Sequence, residues 1–160
     1  MTIKKYSRKD FLNSLLILAG ATAFTELSLV GLRFLTPRGV EGEFGGLFNL
    51  GAFDQYPPGS VTPVEAGRFY LVRLQDGGFL AVYRRCTHLG CAVPYEHSTQ
   101  QFVCPCHGSE FTKEGDVLNE PAPRPLDLFP LSITEMGEII INTSNSIERD
   151  RIDPTYIVNA

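Results

Sequence analysis

The chain of 160 residues has no surplus of positive charge: 14 Lys and Arg stand against 18 Asp and Glu, a formal net charge of −4. A nucleic-acid binder needs a basic face, so nucleic acid is excluded as the main partner. Internal repeats and low-complexity tracts are absent, which removes solenoids and disordered arrays. There is no glycine-rich dinucleotide fingerprint, no substrate-pocket motif and no C-x-x-C-H haem attachment. The 11 Pro and 15 Gly are too scattered for a linker or collagen-like protein and imply many turns. With 43% hydrophobic and 20% charged residues, what remains is a globular chain of about one domain.

The charge is divided unevenly. Residues 1–10 carry Lys4, Lys5, Arg8 and Lys9 against Asp10, for +3, whereas residues 37–160 hold 9 basic and 16 acidic residues, for −7. Between them, the 25 residues from Phe11 to Leu35 contain only Glu26 and Arg33 as charged groups. As a helix this run reaches about 37 Å, enough to cross a hydrocarbon core of about 30 Å. The basic residues 1–10 are expected to stay cytoplasmic, with residues 11–35 as a single transmembrane anchor in contact with lipid. Glu26 is costly in mid-span and is expected to face another protein helix or the far boundary. The triplet Ala21-Thr22-Ala23 also has the pattern of a signal-peptide cleavage site, which keeps a cleaved leader as the alternative. The segment Ser7-Arg8-Lys9-Asp10-Phe11-Leu12 resembles a twin-arginine export signal with Lys9 in place of the second Arg. That resemblance implies export in the folded state, here with an uncleaved anchor.

Pro37 stops the helix, and residues 36–46, with four glycines, predict a flexible tether spanning about 18 Å as a coil. The body, residues 47–142, reads as antiparallel β. Arg68–Gln75 and Phe79–Arg84 are aromatic and β-branched runs joined by Asp76-Gly77-Gly78, a hairpin signal. Shorter strands are expected over Gln101–Cys104, Leu126–Phe129 and Glu138–Asn142, with Met136-Gly137 turning the last hairpin. No stretch in the body holds a helical period for three turns. The expected fold class is therefore all-β, stacked sheets or a barrel, behind one N-terminal transmembrane helix. Residues 143–160 are polar and predict a surface tail.

All four cysteines and two of the three histidines fall within 22 residues, in Cys86-Thr87-His88-Leu89-Gly90-Cys91 and Cys104-Pro105-Cys106-His107-Gly108-Ser109. The pattern is C-x-H-x2-C, a gap of 12 residues, then C-x-C-H. Zinc sites space paired ligands by two to four residues and need only four donors, so six clustered residues fit zinc poorly. Four ligands plus one disulfide fit better: each cluster gives one Cys and one His, and the remaining cysteines pair across the loops. An exported domain permits such a disulfide. His97, between the clusters, reads as a surface histidine.

These two boxes resemble those of the Rieske iron–sulfur proteins, most of all the Rieske subunit of cytochrome bc-type quinol oxidoreductases and their photosynthetic plastoquinol–plastocyanin counterpart. The similarity extends to the basic N-terminus, the anchor, the Gly-rich tether, the β head and a proline loop at Pro121-Ala122-Pro123. It implies a Rieske head with an inserted cluster-binding subdomain and one [2Fe–2S] cluster per chain. Cys86 and Cys104 would bind one iron, His88 and His107 the other, and Cys91–Cys106 would be the disulfide. Partners by resemblance are a cytochrome b subunit, a cytochrome c-type or copper-protein acceptor, and quinol. The chain would be the redox subunit of a quinol–cytochrome c or plastocyanin oxidoreductase, not catalytic alone, with its head on the periplasmic or lumenal side. A Rieske subunit of an arsenite-oxidase-type enzyme or a stand-alone anchored carrier is the alternative.

Charge explains the mixed ligand set. Two ferric ions, two sulfides and two thiolates sum to zero, so an added electron is resisted less than by a cluster with four thiolates. By the resemblance, His88 or His107 faces quinol and accepts its proton, the Ser109 hydroxyl donates to a bridging sulfide, and Leu89 and Gly90 form an apolar docking rim. Higher-potential relatives carry Tyr where this chain has Phe111, which predicts a lower potential, suited to menaquinol. Pro121 would cover the cluster, although Glu120 stands where the family often has Gly.

Overall fold

The computed structural model describes residues 7–35, 42, 44–151 and 153–159. The chain divides into two units, Met1–Arg38 and Gly39–Ala160. The first is helix α1, Arg8–Leu35, 28 residues long and with none buried. Its start is fixed by a reciprocal capping box: Asp10 N–H donates to Ser7 Oγ at 3.2 Å, and Ser7 N–H to the Asp10 carboxylate at 3.1 Å. The Thr22 and Thr25 hydroxyls donate to the carbonyls of Ala19 and Ala21 at 2.9 and 2.8 Å. These two hydroxyls are thus satisfied within the helix. Mean hydropathy of 1.8 and this length suffice to cross a membrane.

The second unit is antiparallel β, as expected. Three sheets contain β1 (Leu47–Ala52), β2 (Val61–Val64), β3 (Phe69–Arg73), β4 (Phe79–Tyr83), β5 (Tyr95–Glu96), β6 (Gln101–Val103), β7 (Glu110–Phe111), β8 (Val117–Asn119), β9 (Leu128–Phe129), β10 (Leu131–Ile133) and β11 (Glu138–Asn142). Their orders are β1-β11-β10, β2-β3-β4-β9 and β5-β6-β7-β8.

The β2-β3-β4-β9 sheet is buried on both faces. Side chains alternate across a strand, so Phe69, Leu71, Phe79 and Ala81 enter one core with Phe48, Ile139 and Ile141 from β1 and β11. Tyr70, Val72, Leu80 and Val82 point the other way, into a core with Phe102, Phe111, Leu126 and the thiols of Cys86 and Cys104. Strands covered on both sides read as unbroken apolar runs, which is why β3 and β4 stand out in the sequence. Their hairpin closes at the expected turn, with Leu74 N–H donating to Gly78 O at 2.7 Å and Gly77 at φ 99°.

The inserted subdomain is seen directly. β4 and β9 pair with each other, Ala81 opposite Phe129, yet the whole β5-β6-β7-β8 sheet lies between them in the chain.

Two segments differ from expectation. The described residues of 143–160 are anchored on the head at several points rather than forming a polar surface tail. Ile147 bridges Leu128, Val158 bridges Phe79, and Thr143 and Arg149 are each 3% exposed. Arg149 Nε donates to Leu126 O at 2.9 Å, and its guanidinium also reaches Glu114 O. Two backbone carbonyls take the Nε and Nη2 donors, and Asp116, 3.7 Å from Nη1, supplies the opposite charge that offsets part of the burial cost. Of the expected tether, 36–41 and 43 lie outside the described residues, but Gly45 and Gly46 are tied to the head. Gly45 N–H donates to Thr143 Oγ1 and Ser144 Oγ to Gly45 O, at 2.9 and 2.8 Å, and Thr143 N–H donates to Gly46 O at 2.9 Å. Phe44 packs on Tyr83 and Phe129, ring centres 5.9 and 6.2 Å apart.

Candidate iron–sulfur site

Both cysteine boxes fold into the same six-residue loop. In the first, which follows β4, Cys86 N–H donates to Cys91 O at 2.8 Å and Gly90 N–H to Cys86 O at 2.9 Å. In the second, between β6 and β7, Cys104 N–H donates to Ser109 O at 2.8 Å and Gly108 N–H to Cys104 O at 3.1 Å. Gly90 and Gly108 sit at φ 79° and 78°, a left-handed conformation that favours glycine. The equivalence pairs Cys86 with Cys104 and Gly90 with Gly108. It breaks at the histidines: His88 is two residues after its cysteine and His107 three.

The loops meet with the Cys86 and Cys104 thiols buried and the His107 imidazole exposed. Cys86 and Cys104 are the two free cysteines, each 2% exposed. Burial pushes the Cys86 thiol up, and the neighbouring Cys104 adds to the shift against the backbone N–H groups of His88 and Leu89. Such thiols give up their protons to a metal rather than to water. The His88 and His107 rings lie 4.9 Å apart, edge to face, with His88 half-buried and His107 exposed. With a metal–nitrogen bond of about 2 Å, two imidazoles on one tetrahedral metal place their ring centres about 5 Å apart, which matches this separation. Cys91 and Cys106 form a disulfide across the loops, and their sulfurs lie within 4.8 Å of Cys104 Sγ. The bonded pair cannot offer thiolates, so the donors left are two thiols and two imidazoles. That set fits a cluster with sulfur on one metal and nitrogen on the other.

The surroundings place the remaining expected residues. Ser109 is fully buried, and its Oγ accepts from Ala122 N–H at 3.0 Å. The Pro121-Ala122-Pro123 segment is therefore docked on the second loop, with Pro121 exposed and the Glu120–Pro121 peptide cis. Phe111 is fully buried opposite Phe102. Leu89 is 69% exposed at the tip of the first loop, beside exposed Gly90. His97 is exposed, its ring 5.0 Å from that of Tyr95.

Sequence reasoning missed the supports of the first loop. The Thr87 hydroxyl donates to Arg124 O at 2.6 Å, and the Arg124 guanidinium pairs with Asp127 and, at 3.2 Å, with Glu148. The carbonyl that Thr87 uses is common to every residue, so no spacing in the sequence marks it.

Two loops of this shape, carrying this donor set on an inserted β subdomain, define a class of iron–sulfur protein. The sequence model of the Rieske [2Fe-2S] domain matches residues 47–130, and the chain belongs to that family. Its cofactor is a [2Fe–2S] cluster and its role is electron transfer. Among curated proteins, the cytochrome b6-f complex iron-sulfur subunit 1 of Synechocystis sp. is 31% identical over 148 residues, covering 81% of this chain and 82% of that one. The corresponding subunit of Chlorobaculum tepidum is 27% identical over 138 residues, covering 86% and 76%. A chain in the structure of a hyperthermophilic respiratory Complex III superposes with a TM-score of 0.54 at 26% identity, covering 83% of this chain and 99% of that one. These homologues support the role of a redox subunit in an oxidoreductase.

Proposed function

We propose that the chain is the Rieske subunit of a membrane cytochrome bc-type complex, taking one electron and one proton from quinol and passing the electron to a cytochrome or copper protein. One observation carries this reading: the two buried free thiols lie behind two imidazoles of which one, His107, is exposed. A bound [2Fe–2S] cluster supplies the one-electron chemistry, held by Cys86 and Cys104 on one iron and His88 and His107 on the other. The exposed His107 ring is the group placed to accept a hydrogen bond, and then the proton, from a quinol hydroxyl. Leu89 and Gly90 beside it exclude water from that contact and form the rim against cytochrome b. Ser109, whose oxygen holds Ala122 N–H, would keep its hydroxyl proton free to donate to a bound cluster. Phe111 brings no hydroxyl, which suits a low-potential quinol such as menaquinol.

In this reading α1 is a single-pass anchor with its basic start in the cytoplasm, since Arg8 and Lys9 follow Lys4 and Lys5 at that end. The head lies on the opposite side, exported folded, with residues 36–43 as the connecting tether. Paramagnetic resonance of native membranes, with and without a quinol-site inhibitor, tests the assignment. A reduced-state Rieske signal that changes shape with inhibitor is expected; a signal indifferent to inhibitor overturns quinol oxidation, and no signal overturns the cluster. A potential that stays flat across alkaline pH overturns the coupled proton.

A further inference from the structure

We propose that a cleft of about 690 Å³ beside the first cysteine loop, lined by Arg68, Arg84 and Arg85, binds a phosphate-type anion. This inference is independent of the quinol reading. Residues 37–160 hold 9 basic against 16 acidic residues, yet three of the nine meet in this cleft, where Glu65 is the one carboxylate among the described lining residues. Glu65 pairs with Arg84 from a largely exposed position. Arg84 Nε is buried without a hydrogen-bond partner. Among the described residues, neither Arg68 nor Arg85 takes part in an ion pair.

The backbone holds the three in one frame. Arg68 N–H donates to Glu65 O and Arg84 N–H to Arg68 O, both at 3.1 Å. Arg68 sits at φ 55°, which is uncommon for a residue with a side chain. Its guanidinium lies 4.6 Å over the Phe44 ring, a contact that orients the fork. Arg85, exposed, runs alongside Gly90, where an added Cβ would lie 3.1 Å from Arg85 Nε.

The charge distribution selects the ligand. A broad acidic protein surface would be repelled by residues 37–160, which together carry −7. A compact anion feels the local guanidiniums instead, and planar forks match phosphate oxygens in pairs. The volume is in the range of small-ligand sites. The phosphate has two possible sources, a lipid headgroup or the free anion.

The test is titration calorimetry of the full chain, cluster loaded, in neutral detergent micelles, with inorganic phosphate and with dihexanoyl-phosphatidylglycerol. Saturable binding is expected, weakened about tenfold or more in R68Q/R85Q, a double variant with unchanged cluster absorption, because charged hydrogen bonds are lost. Glu65→Gln frees Arg84 and is expected to tighten binding severalfold, which decides the matter if the double variant does not fold. Lipid binding at least about tenfold tighter than inorganic phosphate assigns a headgroup site; comparable affinities assign a free-anion site. No saturable binding of either, equal affinity in the folded double variant, or no gain in Glu65→Gln overturns the proposal.

Discussion

The Oγ of Ser109 accepts a hydrogen bond of 3.0 Å from the backbone N–H of Ala122, joining the second cysteine loop to the proline segment. Because the hydroxyl accepts there, its proton is left to donate elsewhere. Ser109→Ala removes the acceptor of the buried Ala122 N–H, at a cost of about 1–3 kcal/mol, and with it the hydroxyl proposed to donate to the cluster and favour its reduced charge. The expected outcome is a lower potential in a redox titration together with a lower melting temperature. An unchanged potential with the stability loss present removes the donor role and leaves only the structural one.

Phe111 tests the opposite direction. It is fully buried in the core that holds Phe102 and both thiols. In Phe111→Tyr the added hydroxyl must find a partner or cost about 1–3 kcal/mol. If the hydroxyl donates to a ligating sulfur, the potential rises and much of that cost is offset. A variant that loses stability with no rise in potential shows that the hydroxyl finds no such partner.

The Cys91–Cys106 disulfide closes a separation of 15 residues, worth about 3 kcal/mol in chain entropy for a loop of this size. It also seats its sulfurs against Cys104. In C91S/C106S, the double Ser variant, we expect a stability loss of that order and faster loss of cluster absorbance on warming. Reduction of the wild-type protein should reproduce both changes. Equal cluster lifetimes in wild type and variant would confine the disulfide to folding.

What the sequence reveals follows from which physics leaves a mark in it. β3 and β4 are readable because burial on both faces forces runs such as Phe69-Tyr70-Leu71-Val72, and their turn needs Asp76-Gly77-Gly78. The four proposed ligands are readable because metal donors come from few residue types at fixed spacing. β5 and β7 have two residues each, too short for any period to show. Arg149 looks like a surface charge because its acceptors, Leu126 O and Glu114 O, are backbone atoms. Thr87 is hidden for the same reason, since Arg124 O could belong to any side chain.

Arg149 converts that blindness into a measurable effect. Its side chain is fully buried, and burial opposes its charge while Asp116, at 3.7 Å, supports it. Gly115 is close enough that an added Cβ would lie 2.7 Å from its Nη2. Arg149→Met keeps much of the volume but leaves two carbonyls without their donor and Asp116 without its ion-pair partner. Breaking such a buried charged network costs about 3–5 kcal/mol, so chemical denaturation should show a loss of that size. A loss under about 1 kcal/mol would place Arg149 among solvated surface charges.

Thr143 is the residue through which the segment before β1 is held. Its Oγ1 accepts from Gly45 N–H and donates to Gly46 O, both at 2.9 Å, and it is 3% exposed. Valine has the same shape without the hydroxyl, so Thr143→Val removes these two bonds and leaves the backbone bond from Thr143 N–H to Gly46 O. Gly45 N–H and Gly46 O then lose a partner, for about 1–3 kcal/mol. Thr143 is remote in sequence from both cysteine loops, so the cluster spectrum should not move. The sensitive readout is limited proteolysis near Phe44, which packs on Tyr83 and Phe129 only while Gly45 and Gly46 stay docked. Faster cleavage there with an unchanged spectrum is the expected result. Gly45→Pro should act in the same direction and more strongly, because proline has no N–H and cannot reach the φ of 94° that Gly45 adopts. Unchanged cleavage in both variants would mean that the Phe44 ring contacts and the remaining bonds to Gly45 O and Gly46 O suffice to hold the segment, and Phe44→Ala would then be the next variant to test.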